Sequence, residues 1–171
     1  DLSTAYIIGK AYFKKKRFRV DERKFQYELI KVSANGSQTQ SFVDEGKYPE
    51  ALYPIILKNR LVCTGFYADR KDNRYNGIAY FDINPLSLAI NAKKYNPFSL
   101  QFMEDKFGRD EDKVVKNLVF KGVEVTENNE IFFNAEEYFV TTSMEVTGAG
   151  QRVKLERFHH NDIVSAKLDT Q

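Results

Sequence analysis

The chain has 171 residues, of which 42% are hydrophobic and 14% aromatic, with 14 Phe, 10 Tyr and no Trp. This composition suits a folded chain with a sizeable core and excludes a disordered one. The 26 basic and 24 acidic residues leave a net charge of +2, which argues against a nucleic-acid or membrane partner. No apolar run reaches the roughly 18 residues of a membrane-spanning helix. The single cysteine, Cys63, excludes an internal disulfide and is typical of a buried core position.

The first two predicted strands flank a strongly basic run. Residues 4–12 are rich in strand-forming side chains, and the basic run follows at 14–24. A nucleic-acid surface is one reading of that run, but Asp21 and Glu22 interrupt it. We therefore favour a solvated hairpin tip. The alternation of apolar residues at 25–32 predicts the returning strand.

A tight turn is predicted at Asn35 and Gly36, because both residues tolerate positive φ between two strands. Residues 38–43 are then a third strand. The stretch at 44–53 contains a glycine, a proline and several charges, so it is predicted to be a loop.

The clearest local signal is a β-hairpin at 59–83. The run at 61–66 is almost continuously apolar, which predicts a strand covered on both faces rather than one with a wet face. Residues 69–76 form a charged tip, and 77–83 form the return strand. A more polar outer strand is expected at 88–95.

One short helix is predicted near 97–107, between Pro97 and Gly108, because its apolar residues recur at helical spacing. The chain then returns to strands, separated by turns that are rich in Asn or Gly. These strands are expected at 118–126, 130–142, 152–158 and 162–168.

Three stretches, at 7–12, 62–67 and 132–138, share two apolar residues, a small residue and then a tyrosine. A strand pair that recurs in this way fits the blades of a β-propeller, whose inner strands are covered on both faces. Small residues would let neighbouring backbones approach closely. Three blades are fewer than a propeller needs to close. The chain is then a partial propeller or fragment, pairs with a second copy, or forms an irregular stack of sheets.

Three segments carry a family resemblance: LVCTGFYADRKDNRYNGIAYFDI at 61–83, NAEEYFV at 134–140 and HHNDIV at 159–164. In these the chain resembles an uncharacterised family of exported, propeller-like proteins of Bacteroidetes-type bacteria. The resemblance implies a periplasmic or cell-surface location and a longer full-length protein, of which residues 1–171 are a single all-β domain. It implies no catalytic residues, because the family motifs are structural.

The histidines and a glutamate pair are the main candidates for chemistry. Adjacent histidines on a strand point to opposite faces, but His160 and Asp162 would share one and could bind a metal with Glu136 or Glu137. The alternative is a turn beside a surface histidine, which we favour. The two glutamates also suggest the carboxylate pair of a glycoside hydrolase, but neighbours on a strand point apart. A partner such as Asp82 or Asp162 would be required.

The tip of the hairpin offers a third candidate surface. Tyr67, Arg70 and Tyr75 are expected to be exposed there, together with Arg74. Tyrosine and arginine are typical of surfaces that bind protein or glycan partners, although they are also ordinary residues for a hairpin tip.

The sequence thus predicts an all-β protein of propeller-like antiparallel blades with one short helix. The absence of a catalytic constellation favours a non-enzymatic binding or scaffold module with a protein or glycan partner and without a cofactor. The alternative is a hydrolase that acts on glycans or peptides through acidic residues at the repeat ends. Open sheet edges also predict a homo-oligomer.

Overall fold

The computed structural model describes residues 3–14, 25–44, 46–58, 60–69, 74–108 and 114–168. Within these residues the chain forms ten strands in three antiparallel sheets, together with one helix. The prediction of a mostly β chain with one short helix is therefore confirmed. The chain divides into two compact units, Asp1–Val115 and Lys116–Gln171. Most of the basic run at 14–24 lies outside the described residues.

The first sheet consists of β1 (Ala5–Tyr12), β2 (Phe25–Ser33) and β3 (Gly36–Phe42), hydrogen-bonded in that order. Both strand pairs are antiparallel. A two-residue loop joins β2 to β3, with Ser33 opposite Gly36, whose φ is 110°. A tight turn is present as predicted, but its loop residues are Ala34 and Asn35, one position earlier than expected, and only Gly36 of the predicted pair has a positive φ. Glycine is favoured at Gly36 because that φ strains other residues.

The second sheet consists of β4 (Tyr48–Leu57), β5 (Arg60–Ala68), β6 (Gly77–Ile83) and β7 (Ile90–Pro97), again in sequential order. Every neighbouring pair is antiparallel. The predicted hairpin is the pair β5 and β6, and the predicted outer strand is β7. Both predictions are confirmed.

The loop predicted at 44–53 is wrong in its second half, because β4 already begins at Tyr48. Proline lacks a backbone N–H and is normally confined to edge strands or bulges. β4 satisfies both conditions, since it is an edge strand of its sheet and its register with β5 shifts between Pro49 and Ala51. The proline is therefore accommodated within the strand.

The first two sheets pack against each other and enclose an apolar core. Two tyrosine hydroxyls of the first sheet donate hydrogen bonds to backbone carbonyls of the chain segment that forms the second sheet. The Tyr27 hydroxyl donates to the Glu50 carbonyl at 2.7 Å, and the Tyr6 hydroxyl donates to the Pro85 carbonyl at 2.9 Å. The buried core residues are Tyr27, Leu29, Phe42, Leu52, Leu61, Cys63, Tyr67, Ala79, Phe81, Ile83 and Leu88.

Strand β5 is buried along both faces, as its continuous apolar sequence predicts. Cys63 and Tyr67 lie in the core between the two sheets. Phe66 belongs to the opposite face, where its ring centroid lies 5.4 Å from that of Tyr75 and 6.4 Å from that of Phe98. The chain after β7 therefore covers the second face of this strand.

The helix α1 (Leu100–Phe107) begins three residues later than the predicted start at 97. Pro97 ends β7, and the Ser99 Oγ accepts a hydrogen bond from the Phe102 N–H at 3.1 Å. Serine is a favoured N-cap residue because it satisfies an otherwise unpaired N–H. Gly108 ends the helix with a φ of 68°. In the part of the chain that the structure describes, no helix has the length and hydropathy to cross a bilayer.

The second unit contains one meander of three strands, β8 (Leu118–Val125), β9 (Ile131–Val146) and β10 (Arg152–Leu168), with β9 in the centre. One face of the sheet is apolar and buried in the region where all three strands overlap. Its residues are Leu118, Ile131, Phe133, Ala135 and Val164. The alternation of β9 in this region, buried at every second position, produces that face.

The two strands predicted at 152–158 and 162–168 are one strand of 17 residues. The predicted turn at Asn161 and Asp162 is instead a β-bulge. His160 pairs with Tyr138 and Ile163 pairs with Glu136, so two residues of β10 lie opposite one residue of β9. A bulge absorbs an extra residue while the strand continues.

All three sheets are open meanders, and their arrangement as propeller blades stays a prediction. The proposed reason for small residues in the repeats holds for Gly65, where a Cβ would overlap the Ala51 carbonyl. It does not hold for Gly9, where nothing lies within 4 Å of an added Cβ. Ala135 is fully buried.

Candidate interaction surface

The polar face of the second unit is organised around the Glu136 carboxylate. Its Oε2 lies 2.7 Å from the Lys121 Nζ, and its Oε1 lies 2.8 Å from the His160 Nδ1. The register between β8 and β9 shifts between Phe120 and Gly122, so Lys121 is the extra residue of a bulge. Hydrogen bonds from Lys121 and then His160 lower the pKa of Glu136 below 4.5.

The two histidines lie on opposite faces of the sheet, as predicted for neighbours on a strand. The His160 ring centroid lies 4.9 Å from that of Tyr138, on the face of Glu136. The His159 ring stacks on Phe139 at 4.5 Å, and its Nε2 lies 2.8 Å from the Thr141 Oγ1. The two imidazoles therefore cannot serve one site.

The metal hypothesis joins His160 and Asp162 on one face, which requires a regular strand. The bulge interrupts that regularity, and the residue pair after His160 and Tyr138 in the ladder is Ile163 with Glu136. Among the described residues, no three His, Cys, Asp or Glu side chains are grouped so that they could hold a metal ion. The His160 imidazole instead makes a hydrogen bond with one carboxylate, that of Glu136.

The glutamate pair is split between the two faces of β9. Glu136 pairs with Val119 in the ladder and Glu137 pairs with Leu118, and successive residues of a strand point to opposite faces. The hydrolase hypothesis requires a further carboxylate, Asp82 or Asp162. Asp162 lies in the β-bulge of β10. Asp82 belongs to the first unit, where its carboxylate accepts hydrogen bonds from Arg60 at 3.0 Å and Asn91 at 3.2 Å.

The candidate residues of the hairpin tip have different surroundings. The prediction that Tyr67 is exposed is wrong, since its side chain is 2% exposed and its ring lies 5.0 Å from that of Tyr95. Tyr75 is half-buried, and burial raises its pKa above 10.0. Its N–H donates to the Val115 carbonyl at 2.9 Å. Arg70 lies outside the described residues.

The surface that the sequence does not reveal is the far half of the β9–β10 hairpin. β8 pairs with β9 only as far as Glu137, while the pairing of β9 with β10 continues to Val146 opposite Arg152. We call residues 138–160 of this hairpin the ribbon. Met144, Val146 and Phe158 are 62%, 68% and 61% exposed. An alternating sequence of this kind resembles a half-buried strand, so the sequence does not reveal that these side chains are exposed.

Comparison with known proteins adds no family. The chain matches no protein-family model, no curated protein sequence and no solved structure.

Proposed function

We propose that this chain is a non-enzymatic binding or scaffold module that contacts a protein partner through the ribbon. The observation that carries the proposal is that the ribbon projects past β8 with exposed apolar side chains. Val140 and Phe158 are opposite one another in the ladder, and both are exposed. Exposed apolar patches on soluble proteins mark interaction sites. A two-stranded ribbon is also marginally stable alone, so a partner would stabilise it.

The charges of the ribbon favour a protein over a glycan as partner. Arg157 pairs with Glu145 at 2.9 Å, and Lys154 pairs with Glu156. These ion pairs leave a mixed surface of aliphatic and charged groups, as protein interfaces have. Glycan sites usually need aromatic platforms, whereas the exposed large apolar residues described in the ribbon are aliphatic apart from Phe158.

The hydrolase alternative has less support. A glycosidase general acid needs a raised pKa, so that it holds a proton near neutral pH. The pKa of Glu136 is lowered instead, because Lys121 and His160 bind its carboxylate. The groups that contact the Glu136 carboxylate are thus the Lys121 ammonium and the His160 imidazole rather than a second carboxylate.

We further propose that the chain belongs to an exported, propeller-like protein, as its sequence resemblance implies, and that it forms a homo-oligomer. The sequential antiparallel order of all three sheets supports the propeller part of this proposal, since propeller blades are meanders of that kind. The coding sequence around this segment tests it by showing whether a signal peptide and further blades are present.

A photo-crosslinking experiment tests the binding function. A photoreactive amino acid replaces Met144 in the ribbon or, as a control, the exposed Ile56 of β4. In cells of the source organism we expect a discrete protein adduct from position 144 that position 56 does not give. Phe158→Lys should abolish it while the melting temperature stays unchanged, because Phe158 is exposed.

Two outcomes would contradict the proposal. One is the same adduct pattern from positions 144 and 56, which would mean that the ribbon is not a specific surface. The other is a hydrolytic activity of the purified chain on glycans or peptides that Glu136→Gln removes without unfolding. That result would assign the function to the polar face instead.

A further inference from the structure

We propose that the free edge of β3 binds an extended peptide as an added strand, at a site separate from the ribbon. Among the described residues, β3 pairs with β2 alone, and no described strand lies on its other edge. Natural edge strands are usually protected by lysine, proline or a bulge. The strand Gly36–Phe42, with the sequence GSQTQSF, contains no charged residue and no proline, and its register with β2 is regular.

The outward backbone groups of β3 follow from its turn. A two-residue loop closes on a hydrogen-bonded pair, here Ser33 with Gly36. Hydrogen-bonded and non-hydrogen-bonded pairs then alternate along the ladder. The N–H and C=O groups of Ser37, Thr39 and Ser41 therefore point to the open edge, where a new strand would pair with them. The Ser41 carbonyl accepts a hydrogen bond from the Gln40 Nε2 at 2.8 Å, which an added strand would replace.

Two cavities lie at the two ends of this edge. One, of about 170 Å³, is lined by Lys31, Gln38 and Leu86 among other residues. The second, of about 350 Å³, is lined by Phe42 and Phe81 and by further residues of β7. Ser37 and Val43 are six positions apart, about 20 Å along a strand, so a heptapeptide reaches both cavities.

The cavities differ in chemistry, and this difference defines the ligand. Lys31 donates to the Leu86 carbonyl at 2.8 Å and places its ammonium group beside the first cavity. The second cavity is lined by the rings of Phe42 and Phe81, whose centroids are 4.8 Å apart, and also by the ion pair of Lys93 with Asp44 at 2.7 Å, so it carries no unpaired positive charge like that of the first cavity. The matching peptide has an acidic residue at one end and a large apolar residue at the other.

The alternation of side chains along β3 determines which peptide residues face the core. Gln38, Gln40 and Phe42 share the inner face of β3 with buried Leu29, since they pair with Lys31, Leu29 and Tyr27. In an antiparallel arrangement, the stronger one, the apolar residue is at the peptide N-terminus, opposite Phe42. The acidic residue is then at the C-terminus. The ligand is thus an uncharged extended segment between these two anchors.

The test uses the full chain and the fluorescent peptide acetyl-Phe-Thr-Val-Thr-Val-Thr-Glu-amide. Binding is measured by fluorescence anisotropy, with the peptide of reversed order as a control. We expect Thr39→Pro to weaken binding at least about tenfold, because it removes an outward N–H and blocks the edge. The outward N–H takes no part in the β2–β3 ladder, so the fold should be retained. Thr39→Val, which keeps the N–H, should bind like the wild type.

Hydrogen exchange of the unmodified chain provides a second measurement that does not depend on a variant. Bound peptide should slow exchange at the amides of Ser37, Thr39 and Ser41. The amides of Gln38 and Gln40 already face β2 and should not change. Equal binding by Thr39→Pro, or unchanged exchange at the three outward amides, would overturn the proposal. Self-association of the peptide-free chain that Thr39→Pro abolishes would assign this edge to a second copy and also overturn it.

Discussion

Gly65 lies against the backbone of Ala51, so closely that a Cβ on Gly65 would overlap the Ala51 carbonyl oxygen. The two residues are on adjacent strands, next to the register shift between Pro49 and Ala51. The close approach of the two backbones therefore requires a residue without a side chain in the middle of β5.

Gly65→Ala is expected to destabilise the chain by about 2–4 kcal/mol, because the overlap is with backbone that cannot move aside cheaply. Gly9→Ala is the matched control, since both glycines lie within strands and an added Cβ at Gly9 meets nothing within 4 Å. The control should change stability by no more than about 1 kcal/mol. Urea denaturation measures both changes. Equal effects at the two positions would show that the overlap at Gly65 is relieved by relaxation.

The Cys63 thiol should be unreactive in the folded chain. Burial raises its pKa from 9.0 to about 12, and the thiolate is the reactive form. A colorimetric thiol reagent at pH 8 should therefore label Cys63 only at the rate of unfolding, and in urea the labelling should be complete. Fast labelling of the folded chain would contradict the burial of Cys63.

The same pKa change predicts a loss of stability in alkali. The folded-state pKa of Cys63 is above the unfolded value, so the folded chain binds more protons between pH 9 and 12. Stability is then full below pH 9 and falls as pH rises, by at most about 1.4 kcal/mol per pH unit from this group. Cys63→Ala removes the contribution, and its stability should fall less steeply above pH 9. Parallel curves for the two proteins would count against the assignment.

The Glu136 carboxyl should titrate below the usual range for glutamate. Hydrogen bonds from Lys121 and His160 lower its pKa below 4.5, so the stability it contributes is present above that pH and is lost as pH falls through the folded-state pKa. Carbon-detected NMR of the side-chain carboxyl measures the midpoint. Lys121→Met should raise it more than His160→Gln does, since the Lys121 bond has the larger effect. A midpoint that neither variant moves would exclude the ion pairs in solution.

Ser99→Ala should loosen the start of α1. The Ser99 Oγ accepts a hydrogen bond from the Phe102 N–H, and removal of such a cap costs about 1 kcal/mol. Hydrogen exchange at the Phe102 amide should accelerate, whereas exchange within β5 should not. Ser99→Asp, which keeps a cap acceptor, is the control and should preserve slow exchange. An unchanged Phe102 amide in Ser99→Ala would show that packing alone holds the helix.

The sequence predicts those parts of the fold in which local pattern and tertiary environment agree. The continuous apolar run from Leu61 to Phe66 cannot suit a strand with one wet face, and both faces are indeed buried. Pro49 is misleading, because a proline suggests a loop unless the edge position of its strand is known. Asn161 and Asp162 are also misleading, because both residue types are common in turns. The pairing of β10 with β9 nevertheless resumes beyond them.

The candidate surfaces are harder to predict, because exposure depends on which strands are absent. Val140, Met144 and Phe158 have the side chains of core residues, and nothing local indicates that β8 ends before it reaches them. The open edge of β3 is hidden in the same way, since the order of the strands is a property of the whole sheet. Tyr67 is the converse case, a residue beside a charged tip whose ring is covered by Tyr95.

The sequential order of the strands in all three sheets has a consequence for biosynthesis. Within each sheet, every strand after the first pairs with the strand made just before it, so the strand pairs join segments that are neighbours in sequence. The first sheet is complete once Phe42 has left the ribosome, before any residue of β4 has emerged. Nascent chains can therefore assemble one sheet at a time, in the order of translation.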